Sequence, residues 1–225
     1  MREFSASALA GRVVVVTGHF GCGKTNVSAE LAKRLSSYGQ TYLIDYDNVN
    51  PYFRAADTAR FLEPYGVKVV IPEFANTNVD IPAVSPLVNT ALTDAQNGAS
   101  VVIDVGGDML GAISLGYLHE KLLRLDPVVI YVFNAYRPLT GEWQDALTVM
   151  KEIEAACGLT VTALVNNSNI GAETTSADIE ATAGYAKSLS DAAGAGLLFT
   201  SYMNNDPPNV PGDILKLKDT TKKLF

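Results

Sequence analysis

The sequence predicts an α/β fold with a mostly parallel central sheet of about seven strands and helices on both faces. Short β-branched segments alternate with longer amphipathic segments almost from end to end. Several of the short segments are apolar throughout, which is typical of strands that helices cover on both faces. Most of them are separated by a helical segment, and such crossover connections join parallel strands.

Seven segments have the composition of strands: Arg12–Thr17, Thr41–Asp45, Val67–Ile71, Ser100–Val105, Val128–Phe133, Leu159–Val165 and Gly196–Thr200. The first leads through a glycine-rich loop into the amphipathic segment 26–35. A later helix is predicted to begin at Pro86, because Ser85 suits its N-cap and Gly98 suits the position after its last turn. Since no repeat or linker interrupts the chain, residues 1–225 are predicted to form a single domain.

Composition and charge narrow the class of protein. The 225 residues carry a formal net charge of −7, and 48% of them are hydrophobic. Such a chain lacks the cationic surface that non-specific binding to nucleic acid or to an anionic membrane requires, so neither partner is expected. No apolar run approaches the roughly 18 residues of a membrane span, and residues 1–12 lack the pattern of a leader. Cys22 and Cys157 suggest no disulfide framework, which favours the cytoplasm.

The most specific motif is "GHFGCGKT", residues 18–25, which matches G-x-x-x-x-G-K-[ST] between a predicted strand and a predicted helix. In such a loop the backbone N–H groups converge on phosphate oxygens, Lys24 reaches the β- and γ-phosphates and Thr25 binds Mg²⁺. The alternative is a glycine-rich turn that binds nothing. The loop residues predicted to bind nucleotide are Gly18, His19, Phe20, Gly21, Cys22, Gly23, Lys24, Thr25 and Asn26.

Acidic residues close the two strands that follow this loop. Asp45 and Asp47 lie in "DYDNVNP", and Asp104 and Gly107 lie in "DVGGD". Because Mg²⁺ prefers oxygen ligands, Asp104 is predicted to hold it through a bound water, and the Gly107 N–H to approach the γ-phosphate. Taken alone, Asp47 is more typical of a turn or a helix cap than of a functional site. Three carboxylates beside a phosphate loop favour a functional role.

With these motifs the chain resembles the MinD/ParA-like ATPases, which are related to the nitrogenase iron-protein group within the SIMIBI class of P-loop NTPases. The resemblance extends over nearly the whole strand order and depends on "GHFGCGKT", "DYDNVNP" and "DVGGD". It implies a catalytic role for Lys24, Asp45 and Asp47, with Asp47 positioning the attacking water. It also implies that Mg²⁺ is held by the side chains of Thr25, Asp104 and Asp47.

The resemblance extends to the base. The segment "NNSN", residues 166–169, is similar to the segment whose asparagine reads adenine in this family, with Asn167 as the best match and Asn166 as the second. The chain has no N-K-x-D motif, the guanine signature of many GTPases, so ATP is favoured over GTP. The alternative is that these asparagines cap turns at the end of a strand.

His19 departs from the family pattern. Many relatives have at this position a lysine that crosses a dimer interface to the partner's nucleotide, and histidine is shorter and largely neutral at pH 7. His19 is therefore either a loop residue that packs against Phe20 or a contact across a dimer. Arg54 and Arg137 are the other candidates for such a cation, and each has a purely structural alternative.

Together these features predict a slow Mg·ATP-hydrolysing switch that acts on an unidentified protein partner, with metalloenzyme maturation or activation as one form of that role. The resemblance also implies an ATP-dependent homodimer. The alternatives are a small-molecule kinase or synthetase of the same fold and a positioning ATPase that acts on membrane or DNA. The tail "DILKLKDTTKKLF" is predicted to be a basic amphipathic helix that docks on its own domain rather than on a membrane.

Overall fold

The computed structural model describes residues 2–46, 51–71, 85–107 and 109–220, with side chains from residue 57 onward in the second range. Within them the strands are β1 Arg2–Glu3, β2 Val13–Thr17, β3 Thr41–Tyr46, β4 Lys68–Val70, β5 Ser100–Val105, β6 Val128–Phe133, β7 Ala163–Asn166, β8 Gly196–Tyr202 and β9 Asp213–Lys216. The α-helices are α1 Lys24–Leu35, α2 Pro51–Leu62, α3 Pro86–Gln96, α4 Met109–Gly116, α5 His119–Leu123, α6 Trp143–Cys157, α7 Ser176–Ala181 and α8 Ala183–Ala193.

The described strands form one sheet in the order β1-β9-β8-β7-β6-β2-β5-β3-β4, and every neighbouring pair is parallel. The predicted fold class is confirmed, and all seven predicted strands are present. The strand predicted from Leu159 begins only at Ala163, because the Val161 N–H donates to the side chain of Glu154 instead of to a neighbouring strand. β1 and β9 were not predicted.

Helices cover the two faces of the sheet through alternate side chains of the same strands. In β2, Val14 and Val16 pack with residues of α1 and α2, whereas Val13 and Val15 pack with residues of α3, α4, α5, α6 and α8. All four of these valines are essentially fully buried. This arrangement explains why β2 is apolar throughout, and it places the residues that follow β2 between the two helical layers.

The end of the described chain corrects one prediction. Residues 213–216 form the strand β9, which pairs with β8 and β1, so the helix predicted for this tail is wrong there. Ile214, Leu215 and Leu217 are buried, so the tail does dock on its own fold, as predicted. Residues 221–225 lie outside the described part of the chain. No described helix is both long enough and apolar enough to cross a bilayer.

The start of α3 agrees with the sequence signals. The helix begins at Pro86 after the N-cap Ser85, and it ends at Gln96 before Asn97. Gly98 has a φ of +93°, a value that favours glycine, and it follows the C-cap as predicted.

Candidate functional site

The loop between β2 and α1 exposes the amino-terminal end of α1. The N-cap of this helix is Gly23, with a φ of +86°, and it has no side chain that could accept hydrogen bonds from the first N–H groups. The first turn contains no acidic residue. These N–H groups and the positive end of the helix dipole are therefore available to an anionic ligand.

The segment after β5 packs directly on this loop. A β-carbon built on Gly107 would lie 2.5 Å from the Lys24 Nζ and 2.7 Å from the Cα of Phe20, so residue 107 must be glycine for the two segments to touch. Lys24 is 8% exposed, and its Nζ donates to the carbonyl of His19 at 3.2 Å. The lysine ammonium is thus held between the loop and the Gly107 backbone.

Two carboxylates lie next to each other where β3 and β5 end. Asp45 and Asp104 are register partners in the parallel pair, which places their side chains on the same face of the sheet. Asp104 is 5% exposed, lines the cavity described below and accepts from the hydroxyl of Ser28 on α1 at 3.2 Å. Thr25 lines the same cavity. The Asp104 carboxylate and the Thr25 hydroxyl therefore face one cavity beside Lys24, and oxygen ligands of this kind fit Mg²⁺.

Four asparagines lie at the ends of β6 and β7, and we call Asn134, Asn166, Asn167 and Asn169 the amide cluster. Hydrogen bonds join Asn134 to Asn169 and Asn169 to Asn167. The side chain of Asn134 accepts from the N–H groups of Tyr136 and Asn169 and donates to the Asn169 carbonyl. The side chain of Asn169 donates to the Asn167 carbonyl at 2.8 Å. Asn134, Asn166 and Asn167 are at most 3% exposed. The cluster fixes the two loops that follow β6 and β7 relative to each other.

Asn167 connects the amide cluster to the glycine loop. Its Nδ2 donates to the Cys22 carbonyl at 2.7 Å, and its Oδ1 accepts from the Ser201 hydroxyl. A β-carbon built on Gly23 would collide with this Nδ2, so glycine at position 23 is required by the contact as well as by its φ. Asn166 instead donates to Thr182 and accepts from the Ser168 N–H, both within the fold.

A cavity of about 810 Å³ opens at the carboxyl ends of the strands, between the glycine loop and the amide cluster. We call its first side the loop end, which is lined by Phe20, Gly21, Gly23, Lys24, Thr25, Asn26, Asp104, Val105 and Gly107. The remaining wall is lined by Asn167–Ala172, Thr174, Ile179 and Ser201–Asn204, together with Tyr136, Arg137 and Asp219. Asn167 and Asn169 line this cavity, and Asn134 and Asn166 support it from behind.

The other predicted loop residues have distinct positions. The imidazole Nδ1 of His19 donates to the Phe20 carbonyl at 2.9 Å, and the Phe20 ring is 60% exposed at the cavity. Cys22 is 1% exposed, and burial raises the pKa of its thiol, so it stays protonated and is unsuited to nucleophilic chemistry. Asn26 accepts from both the N–H and the hydroxyl of Thr220, which ties the start of α1 to the segment after β9.

Two of the residues singled out in the sequence cannot be placed at the site. Asp47 lies outside the described residues, and so does the side chain of Arg54, so their predicted roles stay predictions. The glycine loop, Asp104 and Gly107, by contrast, lie at one cavity, and Asp45 is the register partner of Asp104.

Sequence reasoning did not include several residues that line the cavity. Ser201 and Tyr202 end β8 and Met203 follows it, and the position of β8 beside β7 is visible only in the strand order. Asp219 reaches the cavity because Thr220 is bonded to Asn26 on α1. Arg137 was predicted only as a candidate cation for a dimer interface, with a structural alternative, and its position after a predicted strand is the available sequence signal.

Several solved structures resemble the fold of this chain. No protein-family model and no curated protein matches the chain. The solved structures that resemble it include the signal recognition particle 54 kDa protein of Aeropyrum pernix K1 in complex with GDP, with 16% identity over 84% of this chain and 41% of that one, and a TM-score of 0.60. Another is the cell division protein FtsY of Thermotoga maritima, with 23% identity over 83% of this chain and 60% of that one, and a TM-score of 0.56.

The signal recognition particle receptor FtsY of Elizabethkingia anophelis is similar at 24% identity, over 83% of this chain and 57% of that one, with a TM-score of 0.55. The chain thus spans between about two fifths and three fifths of these proteins. At such identities the likeness establishes the fold alone. The chain therefore shares the α/β fold of these proteins, and the likeness does not single out the MinD/ParA-like group.

Proposed function

We propose that this chain, acting as one nucleotide-binding domain over residues 1–225, is a Mg·ATP-dependent P-loop ATPase that switches the state of a protein partner. The contact between Gly107 and Lys24 carries the proposal. It joins the segment after β5 to the loop at the lysine that the motif assigns to the β- and γ-phosphates. A γ-phosphate bound there meets both segments, and its loss on hydrolysis releases one from the other.

In this proposal the chain's own groups stabilise phosphate charge. Lys24 and the N–H groups at the start of α1 face the phosphates, and the N–H of Gly107 approaches the γ-phosphate. Catalysis of this kind needs donors that are already in place before the ligand arrives. The burial of Lys24 and its bond to the His19 carbonyl support such preorganisation.

Thr25 and Asp104 are the residues proposed to hold Mg²⁺, with Asp47 as a further ligand. When bound, the ion supplies positive charge that neutralises the phosphate oxygens. Ser28 holds the Asp104 carboxylate in position by donating to it. Asp47 is proposed to orient the attacking water, assisted by Asp45, which lies beside Asp104 in the sheet.

The proposal favours ATP over GTP. The amide of Asn167 has two N–H groups, and the contact with Cys22 uses one of them, which leaves a donor beside the cavity for an adenine nitrogen. Three residues further on, where N-K-x-D has a carboxylate, this chain has Ile170, whose side chain cannot accept from the guanine N–H groups. Asn166 is kept as the second candidate for the base.

The proposed partner is a protein, and the proposed location is the cytoplasm. Two of the similar structures are FtsY proteins, one of them described as the receptor of the signal recognition particle, so the fold is used in proteins that act on other proteins. Metalloenzyme maturation or activation is one such role. An ATP-dependent homodimer is a further part of the proposal.

The test is binding and hydrolysis of Mg·ATP by the wild type and by Lys24→Ala, with Lys187→Ala on the exposed face of α8 as the matched control. The wild type is expected to bind Mg·ATP, and Lys24→Ala to lower turnover at least about 100-fold. Lys187 is paired with Asp191 far from the cavity, so its variant should behave as the wild type does. No binding by the wild type, or unchanged turnover in Lys24→Ala, contradicts the proposal, and a preference for GTP contradicts its choice of base.

The proposed ATP-dependent homodimer is tested by a separate measurement. Light scattering gives the solution mass in Mg·ADP and in Mg·ATP, with Asp47→Ala used to keep the ATP intact. A doubled mass in ATP alone supports the homodimer, and an unchanged mass contradicts it. Phosphate release that stays slow until a metabolite is added would favour a kinase or synthetase, and ATP-dependent co-sedimentation with liposomes or DNA would favour a positioning ATPase.

A further inference from the structure

Arg137 lies over the glycine loop from the segment after β6. A β-carbon built on Gly21 would be 3.2 Å from the Cζ and 3.4 Å from the Nε of Arg137, so the guanidinium rests on the loop backbone. Position 21 is one of the unrestricted positions of the motif. Its glycine is explained by a φ of +76° and by this contact, since a side chain there would displace the arginine.

The backbone of Arg137 is held in place on both sides. Its N–H donates to the Asn134 carbonyl at 3.2 Å, and its carbonyl accepts from the Thr140 N–H at 3.0 Å. Asn134 is fully buried at the centre of the amide cluster. The Tyr136 hydroxyl donates to the Asp178 carbonyl at 2.6 Å, which anchors the preceding residue to α7. Arg137 therefore extends toward the loop from a rigid support, not from a mobile surface segment.

The charge of Arg137 is not neutralised by any described residue. None of the ion pairs among the described residues involves it, whereas Arg2, Arg12 and Arg34 each pair with a carboxylate. It also lines the cavity, and its guanidinium lies against Gly21 of the loop. An exposed guanidinium beside backbone donors is suited to bidentate contact with a phosphate.

His19 uses one ring nitrogen inside the loop. A carbonyl oxygen can only accept, so the Nδ1–H of His19 donates to the Phe20 carbonyl at 2.9 Å. Apart from Lys24, Arg137 is the Lys or Arg among the described residues that lines the cavity.

We infer that Arg137 contacts the phosphate chain of the bound nucleotide from the same polypeptide, as a second cation beside Lys24. This inference rests on the proposed nucleotide-binding function. It means that the phosphate charge is compensated within one chain and that completing the site requires no residue from another copy.

The experiment measures binding of ATP and of inorganic tripolyphosphate, with Mg²⁺, to the wild type and to Arg137→Ala, Arg137→Lys and Arg124→Ala. Arg124 is the matched control because it is exposed near the opposite end of β6. Arg137→Ala is expected to weaken both ligands about 10- to 100-fold, since a charge-assisted hydrogen bond is lost. Arg137→Lys should recover part of the loss, and Arg124→Ala should change neither affinity.

Several outcomes would overturn the inference. If Arg137→Ala weakens ATP but not tripolyphosphate, the arginine contacts the base or ribose. If it weakens neither while the wild type binds both, the arginine is a surface residue and the proposed function still stands. If the wild type binds neither, both proposals fail. Thermal unfolding of each variant shows that the compared proteins are folded.

A mixing experiment separates contact within one chain from contact across a dimer. Arg137→Ala retains Lys24, and Lys24→Ala retains Arg137, so a mixture of the two regains turnover only if Arg137 acts on the nucleotide of another copy. The expected result is a mixture no more active than the sum of its components. Restored turnover would show that Arg137 acts between copies.

Discussion

The loop end and the amide cluster face each other across one cavity, and they are built from different parts of the polypeptide. The loop end presents main-chain N–H groups, glycines and the buried ammonium of Lys24. The amide cluster consists of asparagines whose side chains bind backbone carbonyls within the cluster and in the glycine loop, and the hydroxyl of Thr182. Backbone donors are set by φ and ψ, whereas side-chain amides are set by the partners that surround them.

This difference means that the two regions depend on substitution in different ways. At the loop end an added methyl group is damaging, because the backbone itself must come close to its neighbours. In the amide cluster a removed group is damaging, because its buried partners then lack a hydrogen bond. Asn167 belongs to both regions, since it binds the Cys22 carbonyl of the loop.

The largest effect is expected for Gly23→Ala. The new methyl group would meet the Nδ2 of Asn167, and alanine is strained at a φ of +86°. We expect the free energy of unfolding to fall by about 3 kcal/mol, from the strained backbone and the displaced hydrogen bond together. Urea denaturation at fixed temperature measures it.

The same substitution in an Asn167→Ala background isolates the contact between the two regions. There the collision is removed and only the backbone strain remains, so Gly23→Ala should cost about 1 to 2 kcal/mol. Equal costs in both backgrounds would show that Asn167 does not restrict position 23.

A smaller effect is expected for Asn134→Ala in the amide cluster. The substitution leaves the N–H groups of Tyr136 and Asn169 and the Asn169 carbonyl without the side chain that binds them, and Asn134 itself is fully buried. We expect a loss of about 2 kcal/mol in the free energy of unfolding. Asn97→Ala is the control, since Asn97 is exposed and its side chain binds only its own helix at Thr93. Similar values for the two variants would contradict the importance of the cluster.

The smallest effect has the opposite sign and concerns β6, the strand between the two regions. The hydroxyl of Tyr131 is buried and has no hydrogen-bond partner among the described residues. Tyr131→Phe removes that unsatisfied group and keeps the ring, so we expect the free energy of unfolding to rise by about 1 kcal/mol. A decrease in calorimetric or urea measurements would contradict this expectation and would indicate that the hydroxyl is satisfied in solution.

The free energy of unfolding of the wild type and of Tyr131→Phe should depend differently on pH. Burial raises the pKa of Tyr131, so the folded state keeps the phenol protonated where the unfolded chain, with an ordinary tyrosine pKa of about 10, loses the proton. The free energy of unfolding should therefore fall as the pH rises above about 10. In Tyr131→Phe the fall should be shallower, and the difference between the two curves isolates Tyr131 from the other tyrosines.

The sequence alone predicted most of the loop end, because a phosphate loop is a local pattern in which residues a few positions apart determine the backbone. Gly18 to Thr25, Asp104 and Gly107 could be assigned in this way. The amide cluster joins Asn134 to residues near position 169, and Asn167 to Cys22 and Ser201. Those partners are far apart in sequence, so their arrangement depends on strand order and could not be predicted from spacing.

The strands β1 and β9, at one edge of the sheet, were not predicted for a related reason. The spacing of apolar residues and lysines in the tail is compatible with a helix, but β9 forms there because β8 and β1 offer a neighbouring ladder on each side. β1 has only two residues, Arg2 and Glu3, which is too short to give an alternating pattern. Tertiary context decided both assignments.

The pairing of β1 with β9 also determines the order in which the molecule can be completed during its synthesis. Arg2 and Asp213 are 211 positions apart, and β1 has no other strand partner among the described residues. On the ribosome the first strand therefore waits, unpaired, until β9 has emerged, and the bond from Thr220 to Asn26 forms later still. A nascent chain thus contains its glycine loop long before Thr220 can bind Asn26 and hold the start of α1 in place.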